Sequence, residues 1–142
     1  MSKTKAPTEV ETWMLLASVF TDNRHSWHPA VVERTGMPFS RFRALRRLDR
    51  GPLTGSQLAQ QLGVDSPAAS VILSDLVDRA LATKGPDPSD GRRKIVSITE
   101  AGRAVLADVR SMPGPAPALA ALSEAERRTL HRLLTKIQEA SR

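Results

Sequence analysis

Apolar residues return every three or four positions along most of this chain, and in one stretch they alternate instead. From Thr8 to about Thr21, Val10, Trp13, Met14, Ala17 and Phe20 form the stripe of an amphipathic helix. Trp27, Val31 and Val32 keep roughly the same phase across Pro29, so the pattern predicts a kink or a restart there rather than an end. After a turn at Gly36-Met37-Pro38, a second helix is predicted from about Phe39 to Arg50, with Phe42, Leu45 and Leu48 inward and Arg41, Arg43, Arg47 and Arg50 on its other face. Gly51-Pro52 supplies its stop.

The next two helices are short and close together. Leu58, Ala59 and Leu62 make the inner stripe of one, with Ala59 small enough for a neighbouring helix to cross close above it. Gly63 turns the chain, Ser66 is placed to cap a new helix that begins at Pro67, and Ala69, Ile72, Leu73 and Leu76 form its buried side. Two helices joined by a short Gly-containing turn read as a helix-turn-helix, whose second helix enters the major groove of DNA.

Beyond Leu81 the pattern changes. Thr83 to Gly91 is too rich in Pro, Gly and Asp for a helix interior, and Lys94-Ile95-Val96-Ser97-Ile98 alternates with β-branched residues, so a two-stranded hairpin is predicted, with Arg92, Arg93 and Lys94 at its Gly-centred tip. Thr99 is placed to cap a helix carrying Val105, Leu106 and Val109 inward. Pro113 to Pro117 breaks it and reads as a stiff connector. Ser123-Glu124-Ala125-Glu126 is a capping box opening a last helix with Leu130, Leu133, Leu134 and Ile137 on one face.

Composition narrows the chemistry. With 142 residues, 40% hydrophobic and 25% charged, the chain suits one compact unit with a real core. Its 21 Lys and Arg against 15 Asp and Glu leave +6, which favours a polyanionic partner. The absence of cysteine removes disulfides, thiolate metal sites and thiol redox sensing. No stretch approaches the roughly 18 apolar residues of a membrane span, so no membrane partner and a cytoplasmic location are expected. Neither a nucleophile with its base nor a pair of carboxylates converges in the pattern, so no enzyme is expected and no cofactor is implied. His25 and His28 lie at a metal-compatible spacing but lack a third ligand, so no metal site is expected.

The order of elements and the residues from Gly36 to Gly102 resemble the MarR family of winged helix-turn-helix transcription regulators. The match is strongest at the wing: the family's Asp-x-Arg, five further residues and Leu-Thr read here as Asp90-Gly91-Arg92 followed by Ile98-Thr99, with Gly102 where the family tends to have glycine. Departures are Gly91 for a frequent Arg, Ala80 for a turn glycine, and Pro38 and Arg41 for the usual Thr and Gln. The resemblance implies a mainly α fold with a small β-hairpin wing, a DNA-binding domain over 36–102, and flanking dimerisation helices over 1–35 and 103–142. It further implies a homodimer, most simply a repressor, that straddles a pseudo-palindromic operator in double-stranded DNA. The apolar stripes at both ends of the chain, more than a small winged domain needs to cover itself, point to the same dimer.

Candidate DNA-binding residues follow from these elements. Ser66, Pro67, Ala68, Ser70, Val71 and Ser74 lie at the start or on the outer side of the second helix of the motif, where short side chains permit close approach to base edges. No Arg or Lys stands there before Arg79, so hydroxyl contacts, thymine methyl contacts and DNA shape are expected to set specificity. By resemblance Arg92 is the wing arginine that reaches the minor groove and Asp90 the carboxylate that orients it, with Arg93 and Lys94 as phosphate binders. The resemblance also implies release by a small aromatic ligand; Trp13, Phe20, Trp27, His28 and Phe42 are candidates to line its site, although aromatics at helical spacing more often serve as core. The competing function is a winged helix used for protein or RNA contacts without an operator.

Overall fold

The structure, a computed structural model, describes residues 4–113 and 117–142. Among the described residues six α-helices and one hairpin follow the predicted order: α1 (Glu9–Thr35), α2 (Phe39–Leu48), α3 (Gly55–Leu62), α4 (Ser66–Asp78), β1 (Ala82–Asp87), β2 (Asp90–Ile98), α5 (Glu100–Arg110) and α6 (Glu124–Ala140), with a 3-10 turn at Pro117–Ala121 before α6. Gly114, Pro115 and Ala116 of the proposed stiff connector lie outside the described residues. No helix among the described residues is long and apolar enough to cross a membrane. Contacts divide the chain into two units, one comprising Met1–Trp27 with Pro113–Arg142 and the other His28–Met112.

In the first unit, α1 starts on a reciprocal cap in which the Glu11 N–H donates to Thr8 Oγ1 at 3.1 Å and the Thr8 N–H to the Glu11 carboxylate at 2.6 Å. Ser123 and Glu126 close the predicted capping box of α6 in the same way. Neither helix buries its stripe. Trp13 is 66% exposed and Phe20 59%, and Leu133, Leu134 and Ile137 are exposed as well. Pro29 does not end the helix, as expected, and of the kink or restart predicted there the restart does not occur: α1 runs through it as one helix of 27 residues. Pro29 removes only the N–H that would meet the His25 carbonyl, and both residues are exposed, so water can take that bond.

The second unit holds the core. Val31 from the end of α1, Phe42, Leu45 and Leu48 of α2, Leu58 and Leu62 of α3, Ile72 and Leu76 of α4, Val96 and Ile98 of β2, and Leu106 and Val109 of α5 are all buried. Arg34 clamps α1 to α5 through two bonds to the Asp108 carboxylate, at 2.7 and 2.8 Å. The hairpin is tied to this core at its base, where Leu53 and Val96 exchange backbone hydrogen bonds of 3.0 and 2.8 Å.

Two backbone sites set the junction between α4, the hairpin and α5. Ala80 holds φ 59° in the left-handed region. It ends α4 in a two-bond left-handed cap: the Leu81 N–H reaches the Leu76 carbonyl and the Ala80 N–H the Val77 carbonyl, both at 2.9 Å. Glycine adopts this conformation without the clash that Cβ causes, worth about 1–2 kcal/mol. Gly102, in the first turn of α5, is pressed against the hairpin. A Cβ there would collide with the Leu81 carbonyl oxygen and stand 2.7 Å from Ile98 Cγ1.

Opposite outcomes are therefore expected from two small substitutions, read by urea denaturation. Ala80→Gly should stabilise the protein by roughly 0.5–1 kcal/mol, the strain relief less the added freedom of the unfolded chain. Gly102→Ala should destabilise it by about 1–3 kcal/mol through overpacking, despite alanine's better helix propensity. A neutral Gly102→Ala would mean that α5 can back away from Leu81.

Candidate nucleic-acid interface

The helix-turn-helix is built by local rules on both sides of its turn. Thr54 and Gln57 form a capping box on α3, and Gly63 ends that helix with φ 68°. The cap of α4 is Asp65, not Ser66: its carboxylate accepts the Ala68 N–H at 2.8 Å, and Ser66 is the first helical residue with Pro67 second. Both residue types suit a cap. The carboxylate additionally favours the positive end of the helix dipole, and Asp65 holds the extended backbone that a cap requires.

With Ala69, Ile72, Leu73 and Leu76 buried, α4 presents Ser66, Pro67, Ser70, Val71 and Ser74 to solvent, while Ala68 is half-buried. Val71 is 61% exposed, a branched apolar side chain left outside a helix that buries its other large ones. Arg41, which helical spacing assigned to the outer face of α2, instead turns toward α4. Its Nε donates to the Asp75 carboxylate at 2.8 Å, and Arg79 Nε donates to the other oxygen at 3.1 Å. The Arg41 hydrogen bond, with help from Arg79, holds the Asp75 carboxyl below the ordinary aspartate range. Arg41, Ser70, Val71, Ser74, Asp75 and Asp78 line an open groove of about 430 Å³ along this face.

The wing differs from its expected shape. β1 and β2 pair antiparallel from Ala82 opposite Ile98 to Pro86 opposite Lys94, and the next pair is Asp87 opposite Asp90. Gly91, Arg92 and Arg93 therefore bulge from β2 against a single step of β1, and the tip is Pro88-Ser89 rather than a Gly91-centred turn carrying the cations. Pro86 has no N–H for a regular ladder, which favours an irregularity at this point. Ser89 fastens the tip through its N–H and hydroxyl to Asp87 Oδ1, at 2.9 and 2.7 Å. Those two bonds, and then the charge of Arg93, lower the Asp87 pKa.

Charge pairing at the wing also departs from expectation. Asp90 accepts the backbone N–H of Arg92 at 3.1 Å, whereas its side-chain ion pair is with Arg93, at 3.9 Å. Arg93 also pairs with Asp87 at 3.4 Å. The Arg92 side chain is exposed and makes no ion pair among the described residues, so Asp90 fixes its backbone and not its guanidinium. Lys94 faces a crevice of about 230 Å³ shared with Ser70, Ser74 and Asp78 of α4 and Lys84 of β1. This crevice brings Ser70, Ser74 and Lys94 together and adds Lys84, which the hairpin register places opposite Val96.

The aromatic candidates separate. In the second unit His28 stacks on Phe39, with ring centroids 3.7 Å apart, and Phe39 tilts against the buried Phe42 at 5.5 Å. Trp13, Phe20 and the half-buried Trp27 belong to the first unit. Among the described residues no group of three or more His, Asp or Glu is arranged to hold a metal ion.

Comparisons with known proteins accord with this geometry. The sequence pattern of the MarR family matches residues 35–93. The HTH-type transcriptional repressor NicR of Pseudomonas putida is 38% identical over 72 residues, covering 51% of this chain; the chain spans only 44% of that relative's length. A structure titled probable transcriptional regulator from Pseudomonas aeruginosa is 31% identical with a TM-score of 0.57, over 87% of this chain and 93% of the other. A MarR mutant from E. coli complexed with operator DNA shares the fold at a TM-score of 0.60, over 92% and 99% of the two chains, with 21% identity.

The depressed Asp75 pKa has a consequence in acid. A carboxylate with a lowered folded pKa stabilises the fold above its unfolded value, about 3.9, and that contribution disappears as pH falls through the lower folded value. The melting temperature of the protein should fall on acidification below about pH 4. Asp75→Asn, which cannot ionise, should melt lower at neutral pH and lose less on acidification, with Asp87 and Asp108 left to supply the remaining drop. Equal acid-induced falls in the two proteins would remove Asp75 from the response.

Proposed function

The chain belongs to the MarR family of transcription regulators, and from that premise we propose that it is a non-catalytic repressor acting in the cytoplasm. It binds a pseudo-palindromic operator in double-stranded DNA as a homodimer and leaves it when a small aromatic ligand binds. The observation that carries this reading is the exposed α4 face of Ser66, Pro67, Ser70, Val71 and Ser74 beside a crevice holding Lys84 and Lys94. Short side chains let the backbone of α4 approach base edges, and Val71 offers a methyl surface suited to thymine. The flanking cations supply phosphate attraction without reading sequence. Arg92, exposed and outside any ion pair among the described residues, has its charge available for a groove.

Dimerisation draws support from the terminal helices. Val10, Trp13, Met14, Leu15 and Phe20 of α1 and Leu133 and Ile137 of α6 expose an amount of apolar surface that a second copy would bury. The ligand reading rests on the half-buried aromatic pair His28 and Phe39, stacked with ring centroids 3.7 Å apart beside the buried Phe42.

Selection of duplexes from a random library with the purified protein is expected to recover an inverted repeat with half-site centres about one helical turn apart. Arg92→Ala should then weaken binding to the recovered duplex by about 1–3 kcal/mol in a gel-shift titration. A library with no enriched motif would favour the protein or RNA reading, and an unchanged affinity would take the wing arginine out of DNA recognition.

A further inference from the structure

Four arginines of α2 and its following turn take no part in the ion pairs that hold the helices and the wing together. Arg43, Arg46, Arg47 and Arg50 follow the i, i+3, i+4, i+7 spacing of a single helix face, turned away from the buried Ala44, Leu45 and Leu48. They extend about 10 Å along the axis. Among the described residues none of the four pairs with a carboxylate. The one acid within the stretch, Asp49, is taken by Arg110 at 3.2 Å and Arg103 at 3.8 Å. Arg43 Nη2 donates to the Leu62 carbonyl at 3.2 Å, and the Arg46 guanidinium lies 5.8 Å over the Phe42 ring.

The cations repel one another where they stand. Desolvation first, and then the charges of Arg47, Arg50, Arg110 and Arg43, lower the Arg46 pKa; desolvation, Arg50 and Arg43 lower that of Arg47. A row of like charges held together without counter-charges is an arrangement that an external anion stabilises. Its position favours a nucleic-acid phosphate. Arg43 is fastened to the last residue of α3, and the first helix of a helix-turn-helix crosses the phosphate backbone when the second enters the major groove, so the row begins beside that helix.

We propose that Arg43, Arg46, Arg47 and Arg50 form a second phosphate-binding track, which extends the contact with duplex DNA beyond the reading helix and the wing. The track rests on the DNA-binding reading given above. A duplex carries one charge per roughly 3.4 Å on each strand, so a 10 Å row of guanidinium groups can meet several phosphates, and each guanidinium can bind one with two hydrogen bonds. Such contacts carry no sequence information and act on every duplex alike.

The test uses a mixed-sequence duplex of about 40 base pairs, with affinity followed by fluorescence anisotropy between about 50 and 200 mM NaCl. Arg50→Gln, outside α2 and no threat to its fold, should reduce the slope of log affinity against log salt by about 0.9, and Arg47→Gln with Arg50→Gln by about twice that. The double lysine variant, Arg47→Lys with Arg50→Lys, should retain the wild-type slope. Relief of repulsion should leave the melting temperature of the glutamine variants equal to or above that of wild type. An unchanged slope in both glutamine variants, or an equal loss in the lysine variant, overturns the track. The operator reading stands or falls separately: a recovered inverted repeat with unchanged slopes leaves only the operator, reduced slopes with no enriched motif leave only the track, and no binding to either DNA at low salt overturns both.

Discussion

The position of the wing depends on Thr99. Its hydroxyl donates to the Ala80 carbonyl at 2.8 Å and accepts the Gly102 N–H at 3.1 Å, and its own N–H reaches the Leu81 carbonyl at 3.1 Å. One residue thus joins the end of α4 to the start of α5 across the base of the hairpin. The join works only because α5 comes close enough for Gly102 to rest against Leu81 and Ile98. A bulkier residue would push α5 out and take Thr99 with it. The left-handed Ala80 is accepted at the same place, its strain offset by the bonds that Thr99, Leu76 and Val77 make around it.

Around this frame the arginines fall into two groups. Arg34, Arg41 and Arg93 are tied to aspartates that hold α1 to α5, α2 to α4 and the two strands of the wing, while Arg79 shares Asp75 from four residues further along the chain. Arg92 and the row on α2 have no such tie among the described residues. A paired guanidinium gains little from a phosphate because it must first surrender a carboxylate. The groups without a carboxylate have no ion pair to surrender. Net charge alone would not separate these groups, since the +6 of the chain is the same whichever arginines are free.

Much of this was legible in the sequence because it follows from short-range rules. The stripes Leu58, Ala59, Leu62 and Ala69, Ile72, Leu73, Leu76, the Gly63 turn and the Ser123 capping box depend on residues within a few positions of one another. Where two neighbours could serve equally, the pattern was ambiguous: Asp65 and Ser66 are both good caps, and the carboxylate one residue earlier took the place. The wing tip was misplaced because the glycine at 91 drew the turn toward itself, whereas Pro86 and the Asp87–Ser89 bonds set it at Pro88-Ser89. Arg41 was misread for a different reason. Its partner Asp75 is 34 residues away, and no periodicity within α2 can report a helix crossing above it.

In the operator complex proposed above, a reading helix without basic residues on its exposed face divides the work of binding in an unusual way. Ser66, Ser70 and Ser74 can donate or accept, so each tolerates more than one base, and Val71 distinguishes only the presence of a methyl group. Discrimination from such a face is modest unless the helix is pressed deep into the groove. In the proposed complex that depth would come from the cations beside it, Lys84 and Lys94 in the crevice and Arg92 on the bulge of β2. Their attraction is independent of sequence, but the distance at which it holds α4 decides whether a hydroxyl or a methyl can touch a base at all. On that proposal selectivity is a property of the wing and α4 jointly, and a change that loosens the Thr99 junction would lose it without altering a residue proposed to face DNA.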